Sequence, residues 1–133
     1  MLNSVEPVAV LNLSTCPLPA LASAVHLTVS KLGDGDRIRF GTRKVFVSAV
    51  FEALSRAGHA VDVEVVKPRL VDANRRGLLS LARADLVAAM PFDLVKASEI
   101  EDRWSTFHFV VDVGARDPWE VQDQAVTASY EVA

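Results

Sequence analysis

Apolar positions recur along this chain with two different periods, and the switches between them outline the elements. In residues 19–32, "PALASAVHLTVSKL", Leu21, Val25, Thr28, Val29 and Leu32 fall at helical spacing. One stripe of a helix can therefore face a core, with Pro19 suited to the first turn. "GDGD" at 33–36 predicts the end of that helix through a left-handed glycine cap. "RIRF" at 37–40 alternates charged and apolar residues, which predicts a half-buried strand with Arg37 and Arg39 outward. Thr42 then caps a helix over 43–58, "RKVFVSAVFEALSRAG". Phe46, Val50, Ala53 and Leu54 line one side of it, Val47 and Phe51 widen that side, and Gly58 closes the helix.

The following helix spans about residues 64–76, with Val66, Leu70 and Ala73 inward and Gly77 just past its end. Pro68 falls inside it, where an interior proline costs about 3 kcal/mol, so its first turn is expected to be irregular. The alternative is an extended "VDVEVV" with a helix starting only at Pro68. "LLSLARADL" suits a strand with Leu79 and Leu81 inward, although its Leu and Ala content also permits a helix. Pro91 opens a short helix in "PFDLVKASEIED". "TFHFVVDV", residues 106–113, is the clearest strand, with Phe107, Phe109, Val111 and Val113 on one face and His108, Val110 and Asp112 on the other. "VAVLNL" at 8–13 is a further short strand-like run.

Helix, short strand, helix, helix, strand, long excursion, strand: that order resembles the winged helix-turn-helix superfamily. The resemblance is carried by "RIRF", "RKVFVSAVFEALSRAG", "KPRLVDANRRG", "LLSLARADL" and "TFHFVVDV". It implies an α+β fold with a three-helix core, a small antiparallel sheet and a long wing over residues 19–113. Residues 1–18 become an N-terminal extension and 114–133 a C-terminal arm. The resemblance further implies that the third helix reads duplex DNA through Lys67, Arg69, Asn74, Arg75 and Arg76. Arginine matches the paired acceptors of guanine and asparagine those of adenine. Arg43 and Lys44 would meet phosphate at the start of the second helix, and Arg83 would stand on the wing side.

Charge sharpens this picture without deciding it. The net charge is −3 over 133 residues, but residues 31–83 hold eleven Lys/Arg against six Asp/Glu, and residues 84–133 three against ten. The middle can attract phosphate while the last third repels it. The same arginines also suit the wet side of any soluble helix, with Asp72 placed to pair among them. The second reading is therefore a protein-docking or assembly module. Trp104, Trp119 and Tyr130 are its anchors, and homo-oligomerisation is one form of it, whereas a dimer formed by the first helix and the arm belongs to the DNA-binding reading.

Chemistry is sparse. Cys16 is alone, so neither an internal disulfide nor a multi-cysteine zinc site can form within the chain. His108 and Asp112 lie about 13 Å apart along an extended strand, too far to act as a pair. His26 reads as a partly buried ring bonded to a carbonyl, and His59 as a ring at the negative end of a helix. "GDGD" is explained by turn chemistry, and "SEIED" by a solvated loop. Phosphate-binding glycine loops and nucleophile elbows are absent from the sequence. The expectation is a non-enzymatic, cytoplasmic domain without cofactor or metal and with no membrane contact.

Overall fold

Pro17 and Pro19 bracket the start of the first helix, α1 (Leu18–Lys31), where a missing amide costs no helical hydrogen bond. The computed structural model describes residues 10–85 and 89–115. Leu21, Ala22, Ala24, Val25 and Val29 form the buried stripe of α1. Its end differs from expectation: Leu32 is extended, and Gly33 is not among the glycines with positive φ. The carbonyls of Val29 and Leu32 are instead bonded by the Arg39 guanidinium, at 3.0 and 2.9 Å.

Arg39 opens the short strand β1 (Arg39–Phe40), which forms a hairpin with β2 (Lys44–Phe46). The helix α2 (Val47–Arg56) begins directly after β2, so Thr42 is not its cap and residues 43–46 are not helical. Strand pairing wins there because Phe46 is fully buried, and an extended backbone lets it pair with Phe109. The first α2 amides find partners inside the fold: Val47 donates to the His108 carbonyl, and Ser48 to the Ser98 hydroxyl.

Both central helices end in the same glycine motif. Gly58 follows α2 with φ 100°, and Gly77 follows α3 (Val63–Arg75) with φ 76°. After each, the chain folds back so that His59 N–H reaches the Leu54 carbonyl and Leu78 N–H the Ala73 carbonyl. These are the long bonds of a left-handed C-terminal cap. Pro68 does not interrupt α3; it sits on the exposed side, where the lost bond leaves a carbonyl facing water.

The rest of the chain comprises β3 (Leu81–Ala82), α4 (Phe92–Ala97), β4 (Ile100–Glu101), β5 (Thr106–Phe107) and β6 (Phe109–Val111). A four-stranded antiparallel sheet runs in the order β1-β2-β6-β3, while β4 and β5 make a separate hairpin. The single strand expected over 106–113 is therefore two strands, broken at His108. Thr106–Phe107 pairs with β4 and Phe109–Val111 with β2 and β3, so the chain changes partner at His108. The four-stranded sheet is also covered on both sides. Val45, Leu81 and Val110 join the main core with α1, α2 and α3, whereas Phe46 and Phe109 pack with Met90, Leu94 and Val95 around α4. Residues of opposite parity are thus both apolar and both buried, unlike a strand with one wet face.

Residues ahead of α1 belong to this core as well. Leu13 is fully buried, and Asn12 bridges Ala60 in parallel fashion. His59 Nδ1 accepts the Leu11 amide at 3.1 Å, and His26 Nε2 lies 2.9 Å from the Leu78 carbonyl.

The largest departure concerns Arg39, expected outward and found buried. Its five N–H donors are all used: Nε on Gly33, Nη1 on Thr42 and on Asp112 Oδ2 at 3.0 Å, and Nη2 on Val29 and Leu32. Asp112 in turn accepts from Gly114 and donates its amide to Arg43. Removing one partner of a buried pair leaves an uncompensated charge, at a cost of about 3–5 kcal/mol. Chemical denaturation of Arg39→Met should show a loss of that size. Asp112→Asn, which keeps an acceptor for Gly114, should lose less.

Candidate interaction surface

The third helix presents its outer side next to the β4–β5 hairpin, and together they form the main candidate surface. Asp102 closes the hairpin tip: its amide donates to Ser105 at 2.8 Å, and its carboxylate accepts the Arg103 amide at 2.7 Å. Arg75, in the last turn of α3, forms an ion pair and hydrogen bond with the same carboxylate. The tip residues Arg103 and Trp104 consequently stand out from the fold at a fixed place beside α3. Trp104 is 85% exposed, more than any other large apolar side chain among the described residues. An indole normally contributes a large buried area, so one held in water at a braced turn is notable.

The residues expected to bind nucleic acid do not gather on this surface. Arg43 lies in the β1–β2 turn, and its carbonyl accepts the Asp112 amide at 2.7 Å. Lys44 is a strand residue whose ammonium sits 5.8 Å from the centre of the Phe109 ring. Neither stands at a helix N-terminus, because α2 starts at Val47. Arg69 points inward and donates to the carbonyls of Leu13, at 2.6 Å, and Cys16. Asn74 accepts the Leu81 amide at 3.1 Å and so fixes the step from α3 into β3. Arg83 is exposed beside β3, close enough to act on His108.

Lys67, Arg75 and Arg76 do belong to the outer side of α3, but each has acidic company. Arg76 lies 3.6 Å from Asp72, and Arg75 is paired with Asp102. Lys67 lines an open groove of about 320 Å³ with Glu64, Pro68, Lys96, Glu99 and Glu101. Across α3 and the hairpin, carboxylates match cations one for one. Such a surface has no net field to draw in phosphate and few counterions to release on binding it.

Of the aromatic anchors expected at an interface, Trp104 is on this surface, while Trp119 and Tyr130 lie outside the described residues. Arg103 and Asp102 were not singled out by the sequence reading. The signal was present in "IEDRWSTF", two apolar-ended pairs around the four-residue turn "DRWS". Elsewhere on the surface, Arg37 and Asp93 meet at 2.6 Å, and that hydrogen bond holds the Asp93 carboxyl below its ordinary range. Among the described residues no group of His, Cys, Asp and Glu could hold a metal ion, and no helix is long and apolar enough to cross a membrane.

Arg69 yields a direct test of its inward role. Loss of hydrogen bonds from a charged group costs about 1.5–3 kcal/mol. Arg69→Met should therefore loosen residues 11–16 and speed the reaction of the buried Cys16 thiol with a thiol reagent by about tenfold or more. Global unfolding, followed by circular dichroism, should remain a single transition.

Comparison of the chain with family models, with curated proteins and with solved structures finds no match.

Proposed function

We propose that this domain is a winged-helix-type interaction module, without catalytic function, that docks a protein partner on α3 and the β4–β5 hairpin. The architectural half of the reading is supported by strand order. In a chain ordered α1, β2, α2, α3, β3, β6, the last strand lies between the other two, with α3 leading into the sheet. The excursion between β3 and β6 then takes the place of the wing, and β4–β5 forms its outer end.

The observation that carries the protein-docking half is Trp104, 85% exposed on a tip braced by the Arg75–Asp102 pair. A rigid indole loses little conformational freedom on binding and can bury a large area, which is why tryptophan is enriched among binding hot spots. The charges around it, alternating in sign, suit a polar rim with complementary charges rather than a polyanion. The partner chemistry implied is an apolar cleft sized for an indole and edged by both signs of charge.

A second reading, duplex DNA as the ligand, keeps one specific point in its favour: Arg75, Arg76 and Arg103 sit at the same end of the surface. The two readings separate by experiment. Trp104→Ala should change unfolding free energy by no more than about 0.5 kcal/mol, since the side chain makes little buried contact. A photo-crosslinker at position 104 should yield a discrete protein adduct, and binding of the partner so identified should weaken by about 2 kcal/mol or more in Trp104→Ala. Titration with duplex DNA at low salt should show no binding above background. Steeply salt-dependent DNA binding that is lost in Arg75→Ala plus Arg76→Ala would instead establish the nucleic-acid reading.

A further inference from the structure

The chain leaves the four-stranded sheet after Ala82 and returns to it at Phe109, and these two crossings form a neck to the outer unit of α4, β4 and β5, which also packs on the core through Leu94, Val95, Ile100 and the Ser48–Ser98 bond. His108 sits in that neck. Its amide donates to the Ala82 carbonyl at 2.9 Å, and its carbonyl accepts from Val47 at 3.0 Å. Its ring nitrogen Nδ1 accepts the Ala84 amide at 3.2 Å. The residue is 7% exposed.

That last bond fixes the state of the ring. An amide N–H can only donate, so the nitrogen facing Ala84 must carry no proton. Protonation would place an N–H against an N–H and remove the ring's bond to Ala84, leaving the main-chain bond from His108 to Ala82 in place. We propose that His108 is a pH-sensitive clasp across this neck, closed when the ring is neutral and opened by its protonation, which frees the chain at Ala84 from the returning strand. The inference is independent of what the surface binds.

Two charged groups act on the ring from neighbouring elements: Glu99, after α4, and Arg83, after β3. The adjoining β2 brings Lys44, opposite Val111, and the first turn of α2 carries no acidic residue. Burial, as the largest cause, holds the imidazole below its ordinary value of 6.5; Arg83 acts in the same direction and Glu99 against it. The sign follows. The unfolded chain takes up this proton first as pH falls, so the contribution to stability is complete above about 6.5 and is lost as pH falls through the folded value.

Amide hydrogen exchange read by NMR from about pH 7.5 down to about pH 5 tests the clasp, with intrinsic rates divided out. As pH falls from about 6.5 towards the His108 titration, followed on its own ring signals, protection of Ala84 should fall by up to about tenfold per pH unit, as release by a single proton requires, and it should level off below that titration. Protection of Leu81, bonded to Asn74, and of Val111, bonded to Ser80, should hold. His108→Asn supplies an acceptor oxygen that does not titrate in this range, so it should retain Ala84 protection and abolish its pH dependence. Constant Ala84 protection in the native chain would overturn the proposal. So would loss in step with Leu81 and Val111, or pH dependence that persists in a folded His108→Asn.

Discussion

One guanidinium ties together parts of this chain that no local preference would bring to the same point. Arg39 holds the end of α1, the Gly33 and Thr42 carbonyls that flank its own strand, and the carboxylate of Asp112 beyond β6. A buried arginine is tolerable only when its donors are satisfied and its charge is matched, and here both conditions hold. The alignment of α1 with the sheet follows from it, because the last carbonyls of the helix are bonded from a strand rather than by a glycine turn. The negative end of the α1 dipole and Asp112 together balance the one cation.

The outer unit depends on the sheet in a different way. Its packing is apolar, through Leu94 and Val95 against Phe46 and Phe109, whose ring centroids are 4.8 Å apart. Its direction relative to α3 is set by polar links, chiefly Arg75–Asp102. The hairpin tip therefore inherits its position from the C-terminal turn of α3, and Trp104 is presented beside that helix.

Where a single face of an element was buried, the sequence was easy to read. α1, the buried side of α2, the extent of α3 to within a residue and the stop at Gly77 all follow from helical spacing and glycine placement. The α+β class follows from the same pattern. Harder to read were places where distant residues decide local form. "KVF" carries no strong strand signature, and only pairing with β6 makes it extended. "RIRF" alternates like a half-exposed strand, yet Asp112 lies 73 positions further on, out of reach of any local rule. Arg69 looked like its neighbours on α3 until the carbonyls of Leu13 and Cys16 showed which way it faces. For the surface, spacing placed Arg75, Arg76 and Trp104 outside the core but could not reveal the carboxylates brought in by the hairpin.

The short bonds by which Arg69 grips the segment ahead of α1 are made to main-chain oxygens, those of Leu13 and Cys16, with a longer 3.9 Å contact to the Cys16 sulfur. Every residue type offers the same oxygen, so the identities of Ser14 and Thr15 are immaterial to the contact. What the fork measures is the number of residues between its two carbonyls. The stretch 13–16 is thereby constrained in length but free in composition at Ser14 and Thr15: substitutions between the two holding points leave the grip intact, whereas one added or deleted residue would slide a carbonyl off it.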